Sequence, residues 1–184
     1  MNEALFFDTE TLSLSPYEDK ARIILAQFGK YIDGEFSYKV YKEWEIDEVT
    51  LIRNIFIEIS HQSKYSPMFT YNGLFDILYL IGRMYMLKFK VDEIFDTISL
   101  FSNHIRHCDM MQYDNGYLVS LNKLCNFYGI DADCKYSGKD ISTLYENKQY
   151  DEITAHGVDD IKRLYRIVTE TNLAYRFLNK PLGG

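Results

Sequence analysis

The stretch Leu5-Phe6-Phe7-Asp8-Thr9-Glu10-Thr11 joins a short apolar run to two acidic residues near the start of the chain. Three consecutive apolar residues, two of them aromatic, predict a buried strand. Residues two apart on a strand face the same side, so Asp8 and Glu10 are expected to project together from its end. Like charges held so close repel, and their burial is unfavourable unless a cation compensates. The alternative is that Asp8-Thr9-Glu10 is a simple polar turn after a strand. These three residues alone do not decide between a cation-binding pair of carboxylates and a turn.

Another acid, Asp76, lies inside the mostly apolar segment 67–81. Residues 68–71 predict a strand, Asn72-Gly73 predicts a turn, and residues 74–85 predict a buried helix. Asp76 therefore falls in the first helical turn, where the helix dipole favours a carboxylate. That preference would explain Asp76 in isolation, but it does not explain a strand, a turn and a lone acid within an apolar run. We therefore interpret Asp76 as the third member of an acidic group that also contains Asp8 and Glu10.

Two adjacent acids, Asp159 and Asp160, lie at the start of a helix predicted from Val158 onward. Apolar residues at helical spacing define its buried face: Ile161, Leu164, Tyr165, Val168, Tyr175 and Leu178. Asp160 flanks this face, whereas Asp159 is expected on the solvated face with Arg163. His156 lies four residues before Asp160 and would stack over it if the helix already includes that position. The pattern therefore selects Asp160 for the acidic group.

These three segments resemble the motifs of the DEDD superfamily of 3′→5′ exonucleases, which have the RNase H-like fold. FFDTET resembles the first motif, YNGLFD the second and HGVDD the third, in the family's order and with family-like spacing. Residues 121–167 resemble the predicted exonucleases related to the proofreading domain of family B DNA polymerases. The resemblance runs from about Leu5 to Tyr175, nearly the whole chain.

The resemblance implies a two-metal nuclease that uses Mg²⁺ or Mn²⁺. Its metal ligands would be four carboxylates, the first of them bridging: Asp8, Glu10, Asp76 and Asp160. His156 would be the general base, because the family uses a side chain just before the last aspartate to orient or deprotonate the attacking water. The His branch usually places a histidine five residues before that aspartate, and the Tyr branch places a tyrosine four residues before it. This chain has the Tyr-branch spacing with a histidine.

The same resemblance assigns the residues that would contact the terminal nucleotide: Thr11, Leu12, Asn72 and Phe75. The Thr11 backbone would lie near the 3′ hydroxyl, and Leu12 would act as an apolar wedge. Asn72 and Phe75 have equally plausible structural roles, as a turn residue and a core residue. Residues 13–20 form a polar loop that would be either a solvated connector or a flap beside the substrate.

Composition and charge limit the function further. The 184 residues, 47% of them hydrophobic, are enough for one well-buried core, and we expect a single exonuclease domain over residues 1–184. The net charge of −7 argues against a broad cationic surface for nucleic acid. An exonuclease that grips a few terminal nucleotides needs no such surface, since aromatic side chains can stack bases. We expect the 3′ end of single-stranded DNA as substrate, with RNA as the alternative.

The chain shows neither a signal peptide nor an apolar run long enough to span a bilayer, which favours a cytoplasmic protein without a membrane partner, in a bacterium or in the cytosol of an infected host cell. Cys108, Cys125 and Cys134 lack paired spacing, as expected for reduced thiols. His104, His107 and Cys108 suggest zinc, but a suitable fourth ligand does not accompany them.

The predicted elements form an antiparallel meander followed by alternating helices and strands. Strands are predicted at 5–8, 22–31, 35–41, 68–71 and near 107–111, and helices at 47–60, 74–85, 118–128, around 140–145, from 151 and from 158. This order predicts an α/β fold, the RNase H-like mixed five-stranded sheet flanked by helices, with the first strand central.

The predicted function is that of a metal-dependent 3′→5′ exonuclease, whether it works alone or with a replication or polymerase partner. The alternatives are an exoribonuclease that trims RNA 3′ ends and a catalytically idle nucleic-acid-binding module of the same fold. All four carboxylates are present, which argues against the idle module, because an unused acidic group is unfavourable to bury.

Overall fold

A mixed five-stranded sheet forms the centre of the molecule. The computed structural model describes residues 3–62, 66–114, 117–131, 133 and 135–174. The sheet strands are β1 (Glu3–Thr11), β2 (Ile23–Ile32), β3 (Glu35–Lys42), β4 (Pro67–Thr70) and β5 (Arg106–Asp109). Their order across the sheet is β3-β2-β1-β4-β5. β1 pairs antiparallel with β2 and parallel with β4, so the predicted mixed sheet with a central first strand is confirmed.

A hairpin joins β2 and β3, as expected for the strands predicted at 22–31 and 35–41 of an antiparallel meander. Ile32 pairs with Glu35, which leaves Asp33-Gly34 as a two-residue loop. Both loop residues have positive φ, 50° and 99° respectively. Two-residue hairpin loops of this kind match the right-handed twist of the strands, and glycine tolerates the backbone conformation they need.

Helices cover both faces of the sheet. They are α1 (Glu43–Ile46), α2 (Glu48–Ser60), α3 (Gly73–Met86), α4 (Val91–Ser99), α5 (Leu121–Phe127), α6 (Ile141–Glu146) and α7 (Tyr150–Glu170), with a π-helical turn at Leu100–His104. A separate two-stranded sheet joins β6 (Gln112–Asp114) to β7 (Tyr117–Val119).

The alternation of β1 divides the core into two layers. Leu5 and Phe7 pack on one face with residues of α2, α3 and α4. Ala4 and Phe6 pack on the other face with residues of α5 and α7. Phe6 stacks on Phe69 at a ring distance of 5.6 Å. Because Asp8 and Glu10 share the parity of Phe6, the core itself directs both carboxylates toward α7.

Some predicted boundaries were wrong. The helix predicted at 118–128 begins at Leu121, because Tyr117–Val119 pairs with β6 and Ser120 caps the helix by accepting the Lys123 backbone N–H at 3.3 Å. The two helices predicted from 151 and 158 are one continuous helix, α7. The sequence patterns also did not predict α1, α4 or the β6-β7 pair.

Tyr175, Leu178 and Cys134 lie outside the described residues. Cys108 and Cys125 are buried free thiols. None of the helices in the described ranges is long and apolar enough to cross a membrane.

Candidate active site

Asp8 and Glu10 lie near the C-terminal end of strand β1, which extends to Thr11. Glu10 is 7% exposed, and Asp8 is partly buried. Their side chains point to the same face, as predicted, toward the sheet's contact with α7. The strand is longer than the apolar run predicted, because β2 continues to pair with it as far as Ile23 opposite Thr11.

Asp76 reaches the site from α3. It lies in the first turn of that helix and is 4% exposed. Thr9 points away from α7 and binds Asp76 twice: its backbone N–H and its hydroxyl both donate to Oδ1, at 3.1 and 2.5 Å. The residue between the two β1 carboxylates therefore holds the third one in place.

The start of α3 is fixed by a tight turn. Asn72 has a left-handed backbone with φ 62°, and its N–H donates to Asp109 Oδ1 at 2.9 Å. A Cβ on Gly73 would lie 2.1 Å from Thr70 Oγ1, so only glycine fits there. Asn72 thus has the structural role that the sequence left open, and Asp109, which the sequence analysis did not single out, supports the turn that carries Asp76.

Helix α7 supplies His156 and Asp160. His156 is 3% exposed, and its Nε2 lies 3.5 Å from Glu10 Oε1 and 3.7 Å from Asp160 Oδ2. One donor atom from each of these three residues falls within 4.8 Å of the others, a spacing that could accommodate a metal ion. His156 lies over Asp160 as the spacing of four residues predicted.

Asp159 does not lie on a solvated face, and that prediction was wrong. It is 3% exposed, as is Arg163, and the two form an ion pair of 2.9 Å between Oδ2 and Nε. Asp159 Oδ1 also accepts the backbone N–H of Asp133 at 2.9 Å. Arg163 further contacts Asp160 and donates to Asn122 of α5. Helix α5 and the segment after it cover the face of α7 that the polar pattern had suggested was exposed.

Four carboxylates come together and perturb one another. Burial, followed by the charges of Asp76 and Asp160, raises the pKa of Asp8 well above its usual value. Burial, followed by the charges of Asp8, Asp160 and Asp76, also raises the pKa of Glu10 well above its usual value. Burial raises the pKa of Asp76 to about 7, and it also raises the pKa of Asp160. Repulsion within the group contributes to the raised pKa values of Asp8 and Glu10, whereas burial is the main cause for Asp76 and Asp160.

The donor set fits hard divalent cations. Carboxylate oxygens are the ligands that Mg²⁺ prefers, and both carboxylate and imidazole donors suit Mn²⁺. A bound cation would favour the ionised carboxylates and so oppose the burial and repulsion that raise their pKa values. Of the carboxylates that the sequence predicted as ligands, Glu10 and Asp160 have donor atoms close enough to share an ion with His156, and the charges of Asp8 and Asp76 act on Glu10 beside them.

A cleft of about 490 Å³ opens beside Glu10. Its lining contains three of the four predicted substrate contacts, Thr11, Leu12 and Phe75, while Asn72 lies outside it. The lining also contains Ser13 and Leu14 of the loop at 13–20, together with residues that the sequence analysis did not select: Gly138, Lys139 and Ser142. The last three precede or begin α6, and their sequence carried no signal that they would fold over the first motif.

The loop at 13–20 borders this cleft and is attached to α3. Ser13 Oγ lies 3.0 Å from the Tyr79 hydroxyl, and Arg83 Nη1 donates to the Pro16 carbonyl at 3.0 Å. Leu14 lies between these anchors and is 87% exposed. A large apolar side chain is thus held in solvent at the edge of the cleft.

Comparison with known proteins agrees with the fold. The model of the RNase H superfamily matches residues 5–172, and the chain belongs to this superfamily. Its structure is similar to that of the family B DNA polymerase from the hyperthermophilic archaeon Pyrobaculum calidifontis, with a TM-score of 0.67 and 14% sequence identity. The match covers 96% of this chain and 25% of the polymerase.

The RNase H-like fold predicted from the sequence is therefore confirmed. The chain spans a quarter of the polymerase that it resembles, and at 14% identity the likeness concerns the fold. No curated protein sequence matches the chain significantly.

Proposed function

We propose that this chain, as a single domain over residues 1–184, is a 3′→5′ exonuclease that hydrolyses the terminal phosphodiester bond of single-stranded DNA. The observation that carries the proposal is the meeting of four carboxylates from β1, α3 and α7 next to a cleft large enough for a terminal nucleotide. The RNase H superfamily assignment supports nuclease chemistry at that place.

The metal centre would consist of Asp8, Glu10, Asp76 and Asp160, with Asp8 as the bridging ligand and Mg²⁺ or Mn²⁺ as the ions. When bound, two divalent ions supply a water of lowered pKa and stabilise negative charge on the leaving 3′ oxygen. The chain contributes the placement of the ligands. Thr9 fixes Asp76, and Arg163 contacts one oxygen of Asp160 while the other faces His156.

His156 would accept the proton of the attacking water. Its Nε2 faces Glu10 and Asp160, the two carboxylates nearest to it. A neutral imidazole can accept a proton at physiological pH, and neighbouring carboxylates stabilise the imidazolium that results. The ring is buried, which limits its contact with bulk solvent, and its Nε2 is the nitrogen that faces the two carboxylates.

The cleft would hold the terminal nucleotide. Thr11 and Leu12 line it on the β1 side, and Phe75 lines it on the α3 side. Lys139 adds an exposed cation to the opposite wall, where it can face a phosphate. One cation and a few apolar side chains suit a footprint of a few nucleotides, in agreement with the acidic character of the whole chain.

The test is digestion of 5′-labelled single-stranded DNA and RNA of the same sequence in Mg²⁺, Mn²⁺ or EDTA. The expected result is a ladder that shortens from the 3′ end of DNA with either metal and is absent in EDTA. A circular single strand should survive, whereas rapid cutting of circles would contradict an exonuclease. Preferential digestion of RNA would assign the exoribonuclease alternative.

A pair of variants distinguishes digestion by the proposed site from digestion by a contaminating nuclease. Asp8→Asn should abolish digestion, because Asp8 is the proposed bridging ligand. Asp151→Asn, an exposed acid at the start of the same helix that carries His156, should digest DNA like the wild-type protein. Full activity of Asp8→Asn would overturn the proposed function.

A further inference from the structure

Gln27 is a buried polar residue beside the first acidic motif. It lies on β2 directly opposite Asp8 in the strand register and is 1% exposed. Positions 25, 27 and 29 of β2 share the face that packs on α7. The interior of that face is otherwise apolar, so a glutamine there calls for a reason.

The contacts of Gln27 supply that reason. Its Nε2 donates to Asp8 Oδ2 at 2.6 Å. The same amide also acts to lower the pKa of the Glu10 carboxyl, against the larger opposing effect of burial. One neutral amide thus acts on both β1 carboxylates, while its own Oε1 is buried without a hydrogen-bond partner. An orphaned buried acceptor is unfavourable for stability, so the amide is better explained by what its donor does.

Helix α7 confines this amide from the other side. A Cβ on Gly157 would lie 2.9 Å from Gln27 Nε2 and 2.7 Å from Leu25 Cδ2, closer than side chains can approach. Gly157 follows His156 directly, so the absence of a side chain there makes room for the glutamine. The amide is held between Asp8 and the helix that carries the fourth ligand.

We propose that Gln27 is a positioning residue of the metal centre, which holds Oδ2 of Asp8 so that Oδ1 is presented to the ions. This inference rests on the proposed function. A neutral donor suits the task, because it orients a carboxylate without adding a cation that would compete with Mg²⁺ or Mn²⁺. Partners of this kind set the orientation of metal ligands, and their loss typically weakens metal affinity or activity about 10- to 100-fold.

The experiment measures Mn²⁺ binding by titration calorimetry in the full chain. Gln27→Met keeps the length and volume of the side chain but removes the donor, and Gln27→Asn keeps an amide that no longer reaches Asp8. Both variants should bind Mn²⁺ with a Kd about 10- to 100-fold higher than the wild type. Their kcat at limiting Mn²⁺ should fall and recover at high Mn²⁺, whereas the KM for DNA should stay unchanged, because Gln27 lies outside the cleft.

Gly29→Ala is the matched control. Gly29 lies on the same face of the same strand, and a Cβ there would meet Phe36 and Ile161 rather than a carboxylate. This variant should lower the melting temperature but leave the Kd for Mn²⁺ within about twofold of the wild type, the usual precision of such a comparison.

The outcomes separate the two proposals. Wild-type affinity for Mn²⁺ in both Gln27 variants would overturn the positioning role and leave the proposed function intact. A wild-type protein that binds no Mn²⁺ would overturn both. If Gln27→Met does not fold, the Kd for Mn²⁺ of Gln27→Asn alone tests the proposal. That variant retains a polar amide at the site, but its side chain is too short to reach Asp8.

Discussion

Thr9 Oγ1 lies 2.5 Å from Asp76 Oδ1, which joins the central strand to the first turn of α3. Thr9 stands between Asp8 and Glu10 in the chain, yet its side chain points to the opposite face of β1. The polar turn suggested by Asp8-Thr9-Glu10 is therefore a continuous strand in which all three residues act on the same site. Two residues face α7, and the third secures the carboxylate from α3.

Thr9→Val should lower exonuclease activity by about tenfold, because Asp76 then keeps the backbone N–H of Thr9 but loses the hydroxyl. Thr9→Ser retains the donor and should behave like the wild type. The measurement is kcat on single-stranded DNA together with the Kd for Mn²⁺. Equal activities of the valine and serine variants would show that the Thr9 hydroxyl does not position Asp76.

The metal-free protein should lose stability as the pH rises from about 4 to about 7. Ordinary carboxyl groups ionise near pH 4, whereas the pKa of Asp76 is about 7 in the folded protein and those of Asp8, Glu10 and Asp160 are raised. A folded state with raised carboxyl pKa values binds protons more tightly than the unfolded chain, so deprotonation in this window favours unfolding. The check is the melting temperature in EDTA across this range.

Divalent metal should cancel this loss. Mg²⁺ or Mn²⁺ should raise the melting temperature at pH 7 to 8, since an ion that binds only the folded state stabilises it by mass action. Asp8→Asn should raise the melting temperature in EDTA, because it removes one of the repelling charges, and should abolish the response to metal. A metal response of normal size in Asp8→Asn would contradict the assignment of that carboxylate.

His156→Ala should lower kcat by ~10²–10⁴-fold, the usual contribution of a positioned general base, and leave Mn²⁺ binding mostly intact. His156→Tyr should restore part of the loss, because tyrosine occupies the equivalent spacing in the Tyr branch that the sequence resembles. His61→Ala, which removes an exposed histidine at the end of α2, serves as the control. A His156→Ala protein with normal kcat would exclude His156 as the base.

Asp159→Asn should destabilise the fold by about 3 kcal/mol, because it leaves the buried Arg163 without its full counter-charge. The folded protein should remain an active exonuclease, whereas Asp160→Asn should be inactive but folded. Chemical denaturation and digestion assays measure the two effects separately. An inactive, fully stable Asp159→Asn would mean that Asp159 rather than Asp160 belongs to the metal centre.

Glu58 should show the opposite pH dependence from the metal centre. It accepts hydrogen bonds from Lys30, Lys39 and Tyr41 at 2.6 to 2.7 Å. Burial opposes its ionisation, but these donors outweigh it and lower the pKa of Glu58 to about 2. A lowered folded pKa contributes stability above the unfolded value of about 4.3, and this contribution is lost as the pH falls toward 2.

Glu58→Gln tests that contribution. The variant should be less stable than the wild type at pH 7, and the difference should shrink as the pH falls from about 4.5 to 2. Urea denaturation at both ends of the range measures it. A difference that does not depend on pH would show that packing, rather than charge, explains the effect of the substitution. Because Glu58 lies on α2, exonuclease activity at pH 7 should not change in the folded protein.

Much of the site could be predicted from local patterns. The parity of a strand placed Asp8 and Glu10 on one face, and the spacing of four residues placed His156 over Asp160. The turn at Asn72 located the first turn of the helix that carries Asp76. These predictions succeeded because each depends only on the repeat of one element, which the chain itself specifies.

Other features depended on which elements pack together. Asp159 and Arg163 occupy the polar stripe of α7, but α5 and the backbone near Asp133 cover that stripe, and the pair is buried. A helical pattern shows which side chains share a face, and it does not show whether another element will pack there. The helical spacing therefore placed Asp160 beside His156, as in the structure, and the polar pattern assigned the wrong environment to Asp159.

The sequence by itself determined the acidic motifs, the β2-β3 hairpin and the positions of the five sheet strands along the chain, because strand parity, helical spacing and turn preferences act over a few residues. Only the tertiary structure decided that Gln27 lies against Asp8, that Thr9 binds Asp76, and that Lys139 lines the same cleft as Glu10. These contacts join residues far apart in the chain. They exist because the sheet must bury its two apolar faces against the helices that cover them, α3 on one side and α7 on the other, and the polar groups at the edges of these interfaces take the positions that packing leaves them.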